Sequence, residues 1–304
     1  MDMFRARRLT AALALAAGLF GHALAAAIVR PVVLPGAAPL AASAAGASPA
    51  SAPALSAVSA QLLLVAPTLP TAAPLAAFAR DAGIGLAATP FAGKALMGLD
   101  ADHLAQYDSD DRRVYVNWDY VGADLRALED AGVRALEART LTALAAVPVL
   151  AHEWRHAELR HAFGSDFPGL AEEEFLTHLD QAAVLGEVLR MRPDFASQTP
   201  RLERLFLYPH SRRLLDLRAL GFGPFEEHIL RKYRGLSPSL ADPSRGAADA
   251  RAFLASLEAA PQRAPRGWLE RARRNLGFWE DAAQVRRLAA FLHERIAAAG
   301  AALD

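Results

Sequence analysis

The run Val147-Pro148-Val149-Leu150-Ala151-His152-Glu153-Trp154-Arg155-His156 sets five apolar residues ahead of two histidines four apart. Residues four apart share one face of an α-helix, so both imidazoles can reach a single metal ion. Glu153 falls about 100° around the helix from His152, next to the position such an ion would leave open. A carboxylate there can take a proton from an activated water and later return it to a leaving amine. The run lies in a helical pattern from residue 134 to 163, within which Pro148 predicts a break, a kink or a fresh helix start. Trp154 reads as an anchor that holds this helix in a core.

Upstream, Arg113-Val114-Tyr115-Val116-Asn117-Trp118 is the clearest strand, rich in β-branched and aromatic residues. It follows the turn-rich loop Tyr107-Asp108-Ser109-Asp110-Asp111. Trp118 and Tyr120 read as half-buried packing more than as cleft lining. Short helices are expected over 74–82, before Gly83 and Gly85, and over 124–131, closing at Gly132. A longer one is expected over 170–191. Beyond it the chain reads as helices that start near Pro200, Pro209 and Pro224 and stop near Gly221, Gly235 and Gly277. The fold class is therefore α+β and predominantly helical. An active-site helix would lie beside a small sheet over residues 75–191, with residues 192–304 a helical lid or support.

Before residue 75 the chain changes character. Residues 1–25 carry Arg5, Arg7 and Arg8, then an apolar stretch over 9–20 and the small-x-small pattern Ala23-Leu24-Ala25, as in a secretory signal peptide. Export to the periplasm or the extracellular space is expected, with no membrane span left after cleavage. Residues 26–74 are dominated by Ala, Pro, Ser, Leu and Val, with no charge between Arg30 and Arg80. Their prolines argue against any long helix, so they read as a flexible or extended linker, or as a propeptide. Leu62-Leu63-Leu64-Val65 is a short strand-like run that could dock on a folded domain.

Composition narrows the chemistry. With no cysteine, disulfides, thiolate zinc sites and thiol nucleophiles are excluded, leaving imidazole and carboxylate as metal ligands. Thirty-three basic and 33 acidic residues balance, which argues against a nucleic-acid surface. The pairs Arg212-Arg213, Arg273-Arg274 and Arg286-Arg287 stand among acids and read as solvated faces.

Strand, HExxH helix and acidic second helix together resemble the zincin-type metallopeptidases over about residues 100–190. The longer pattern HExxHxxGxxH is not met, because Leu159 and Ala162 stand at its glycine and third-histidine positions, and His161 is turned off the metal face. What remains is similar to the branch in which a glutamate on the next helix completes the site. Glu172, Glu173 and Glu174 are the candidates. Glu173 points away from the apolar stripe of Phe175, Leu176, Leu179 and Ala182 and reads as solvent-facing, and Glu172 falls inside that stripe. Glu174 shares a polar track with Thr177, His178 and Gln181 and is preferred over Glu172. The aspartate found four residues after the glutamate in thermolysin-like members is missing, so Asp180 or Asp166 is a candidate to orient a histidine. His178, Tyr208 and His210 are candidates to stabilise an oxyanion. The resemblance gives Val114–Asn117 the role of binding extended substrate backbone.

The resemblance implies an exported zinc-dependent metallopeptidase acting on a peptide or protein. Zn2+ would be held by His152, His156 and Glu174, with Glu153 as base and acid. The alternative expectation is a non-catalytic exported binding or scaffold protein with a structural metal or none.

Overall fold

The computed structural model describes residues 51–91, 103–164, 169–193, 195, 214, 216–234, 237–259, 261–263 and 267–301. The signal-peptide reading of residues 1–25 and the linker reading of 26–50 lie outside the described residues, as do Asp166, Pro200, Tyr208, Pro209, His210 and Gly235.

Helix α1 spans Ser51–Val65, within the segment read as a flexible or extended linker or as a propeptide, so this part is helical and not extended. Its prolines bracket it: Pro53 stands in the first turn, where the missing N–H costs nothing, and Pro67 comes only after the end. Val58, Leu62 and Val65 repeat at helical spacing on the buried side. Leu63 and Leu64 face outward, so the apolar run is the end of a helix and not a strand. A 3-10 turn over Ala66–Thr68 leads to helix α2, Ala72–Asp81. At its start the Thr71 N–H and hydroxyl both donate to the Glu187 carboxylate, at 3.0 and 2.6 Å. That carboxylate answers the positive end of α2 and ties the segment to a helix more than a hundred residues away.

The sheet has three strands in the order β1-β3-β2: β1 Gly85–Thr89, β2 Ala105–Asp108 and β3 Arg113–Asn117. β1 runs parallel to β3 and β2 antiparallel to it. Val114 and Val116 enter the main core, while Tyr115 on the opposite face packs with Phe91. Asn117 ends the strand and starts a helix, its side chain accepting from the Asp119 N–H at 3.1 Å and donating to the His103 carbonyl at 2.9 Å. Helix α3 therefore begins at Trp118 and runs to Asp130, earlier than the pattern at 124 suggested. The Trp118 ring lies in the main core.

Helix α4, Ala135–Phe163, is 29 residues long and continues through Pro148, so the break or fresh start that was one expectation there does not occur. Residues 141–155 are buried without interruption, so α4 is the central spine, apolar nearly all round. A proline inside a helix costs about 3 kcal/mol. Packing on every side outweighs that local preference here. Helix α5, Ala171–Met191, returns antiparallel to α4, with Arg155 meeting Asp180 and His156 meeting Glu173.

The C-terminal region supplies α6 Phe222–Arg234, α7 Pro243–Ala259, α8 Trp268–Glu280 and α9 Ala282–Ala301. Gly277 lies within α8 and does not end it. The stop is Asp281, whose carboxylate accepts from the Ala283 and Gln284 N–H groups at 3.0 and 3.1 Å and so caps α9. Gly246 of α7 sits against the Trp279 ring, where a Cβ would come within 2.7 Å.

The fold is α+β and predominantly helical, with two large apolar clusters among the described residues besides the Phe91–Tyr115 pair. One joins α1–α3, the sheet and the first part of α4 to the end of α5. The other joins the end of α4 and the start of α5 to α6–α9. On α4 the changeover falls between Trp154 and Leu159, beside His156; His152 lies within the first cluster's span and Glu174, on α5, within the second's.

Because Leu62 is fully buried in the first cluster, Leu62→Ala should lower unfolding stability by about 2–5 kcal/mol. An unchanged urea midpoint would show that α1 is not part of the folded core.

Candidate metal centre

Positions 152 and 156 put two imidazoles on the side of α4 that faces α5, and 174, 178 and 181 put Glu174, His178 and Gln181 on the side of α5 that faces α4. His152 Nε2 and His156 Nε2 are 3.1 Å apart. Glu174 Oε1 is 3.8 Å from His156 Nε2, and Glu174 Oε2 is 4.0 Å from His152 Nε2. The ligand atoms of the three residues all lie within 4.8 Å of one another. Two nitrogens on a tetrahedral zinc at about 2.0–2.1 Å stand about 3.3–3.4 Å apart. The imidazole pair stands about 0.2–0.3 Å inside that spacing and the carboxylate about half an ångström outside it, both within reach of small side-chain rotations.

Outer partners aim both rings. His156 Nδ1 is 2.6 Å from Glu173 Oε1, and His152 Nδ1 is 3.2 Å from Gln181 Oε1. Each Nδ1 is thus engaged away from the cluster while each Nε2 turns inward, as ligation requires.

Three of the expectations for the acidic run change or resolve. Glu173 does not face solvent. It is fully buried, and besides His156 it meets Arg160 at 3.3 Å and the Leu170 N–H at 3.3 Å. The helical wheel failed because α5 is buried on several sides, so pointing away from one apolar stripe did not mean pointing into water. Glu172 turns to the Ser239 hydroxyl and the Leu240 N–H, away from the histidines. Asp180 pairs with Arg155 at 2.7 Å, and among the described residues the acid behind a ring is Glu173, beside His156.

Glu153 is buried next to His152, and its Oε2 accepts the Tyr107 N–H of β2 at 2.8 Å. Val114–Asn117 cannot offer backbone to an added strand, because β3 is paired on both sides, Val114 with Leu86 and with Tyr107. Among the described residues the outer edge near Glu153 belongs to β2. His178 stands 4.0 Å from Glu174, and its Nε2 meets the Tyr233 hydroxyl at 2.6 Å. Sequence gave no sign of Tyr233, 55 residues away on α6, whereas Gln181 was visible as the end of the polar track. His161 is exposed against Phe78, off the cluster.

Charge at the site favours a cation. Burial works against a charged His156, but Glu173, Glu174 and Glu153 outweigh it and raise the imidazole to about 9. Burial pushes the Glu153 carboxyl up to about 7, with His156 and the Tyr107 N–H opposing. Burial raises Glu174 as well. Glu173 is held below the ordinary range despite its burial, because Arg160 and His156 face it.

Comparison with protein-family models, with curated proteins and with solved structures finds no match to this chain. Among the described residues no helix is long and apolar enough to cross a membrane.

The raised values fix a sign. Between about pH 4.5 and 9 the folded chain holds protons on Glu153 and His156 that the unfolded chain has released, so its stability falls as pH rises. Thermal unfolding in chelator should show a falling Tm across that window, with a smaller fall once zinc replaces the proton. A level or rising Tm in chelator would contradict this electrostatic account.

Proposed function

We propose that this chain is a zinc-dependent metallopeptidase of the HExxH type with a glutamate as third ligand, acting on peptides after export. The observation that carries the reading is the convergence of His152, His156 and Glu174 on one point beside a buried Glu153. Zinc held there would lower the pKa of a bound water to about 7 and polarise a carbonyl.

The remaining work falls to the chain. His152 and His156 present Nε2 because Gln181 and Glu173 occupy Nδ1. Glu153 keeps Oε2 on the Tyr107 N–H, leaving Oε1 to take a proton from the attacking water and deliver it to the leaving amine. In the metal-free site, burial raises the Glu153 carboxyl to about 7. The Tyr233 hydroxyl, held by His178 beside Glu174, stands as a polar group on the wall of the site.

Glu153→Gln should keep one zinc per chain while peptidase activity falls by about 10²–10⁴. Full activity in that variant would remove Glu153 from the mechanism. His156→Ala and Glu174→Ala should lose zinc by elemental analysis, whereas Glu172→Ala should retain it. A wild-type chain that binds no zinc would favour the scaffold alternative.

A further inference from the structure

One amide oxygen serves two imidazoles. Gln181 Oε1 lies 3.2 Å from His152 Nδ1 and 3.1 Å from His178 Nδ1, and the two rings stand 4.9 Å apart at 65°. Gln181 is 5% exposed, so water does not compete freely for the contact. We propose that Gln181 is a positioning residue whose oxygen holds His152 and His178 together in the Nδ1–H tautomer.

A carbonyl oxygen has two lone pairs and can accept from both rings. A neutral imidazole that donates from Nδ1 has its lone pair on Nε2. For His152 that lone pair points to His156 Nε2 and Glu174, the direction a ligand needs. For His178 it points to the Tyr233 hydroxyl at 2.6 Å, so the phenol donates and the imidazole accepts. His178 is then not itself the donor to a substrate oxygen. It sets the orientation of Tyr233.

The opposite amide orientation would turn the Gln181 NH2 to both rings and place hydrogen on both Nε2 atoms. It would deny His152 its role as a ligand and reverse the His178–Tyr233 hydrogen bond. The two rings are thus coupled through one atom, and a change at 181 moves a metal ligand and the neighbouring His178–Tyr233 pair together. Only the ligand role of His152 rests on the metallopeptidase reading. The tautomer of His178 does not.

The test is long-range 1H–15N spectroscopy of the imidazoles in the full chain at mildly alkaline pH, in wild type, Gln181→Glu and Gln181→Met. Glutamate restores an acceptor at the same place, and methionine keeps the bulk without one. Wild type and Gln181→Glu should show His178 protonated at Nδ1, while Gln181→Met shows the Nε2–H form or a mixture. Zinc affinity should fall about 10–100-fold in Gln181→Met and recover in Gln181→Glu. A wild-type His178 carrying its proton on Nε2, or an unchanged tautomer and zinc affinity in Gln181→Met, overturns the proposal. Should the wild type bind no zinc, a His178 tautomer that still depends on residue 181 upholds the positioning role and sinks only the metallopeptidase reading.

Discussion

Glu173 is the constraint on which the centre of the molecule depends. A carboxylate without solvent costs several kcal/mol unless charge and hydrogen bonds meet it from nearby. Three groups meet this one: His156 and Arg160 from α4, and the Leu170 N–H at the start of α5. Satisfying them fixes how far α5 slides along α4 and how it is rotated. The same register brings Asp180 to Arg155, Gln181 to His152 and Glu174 to the space before both imidazoles. The cluster therefore follows from the way the two helices neutralise their buried charges.

That pairing extends outward. Arg155 and Glu158 are ion-paired within α4, Arg155 also holds Asp180 of α5, and Glu158 reaches Arg295 of α9. Gln284 of α9 donates to the Phe163 carbonyl at the end of α4. The C-terminal helices thus bear on the end of the spine that follows the histidines, while α1–α3 and the sheet bear on the end that precedes them.

Local patterns in the sequence carried the parts of this that depend on helical phase. The face shared by His152 and His156, the polar track from Glu174 to Gln181 and the strand before Asn117 were all legible. Glu173 was misread because a wheel drawn on one apolar stripe assumes a helix with a single buried side. α1 was missed because proline content was weighed over the whole segment, whereas the gap between Pro53 and Pro67 is what allows a helix. Val114–Asn117 was given an edge role because strand order depends on β1 and β2, whose pairing no local pattern states. Tyr233 reaches the site only through the packing of α6.

Two of the groups that aim the site differ in kind. The Tyr107 N–H that holds Glu153 belongs to the main chain, so every residue but proline at position 107 carries it. The oxygen that faces His152 and His178 belongs to a side chain and exists only while residue 181 supplies it. Orientation of the carboxylate is therefore robust to sequence drift. Orientation of the imidazoles is exposed to it, and variation among descendants of this chain should fall more freely on 107 than on 181.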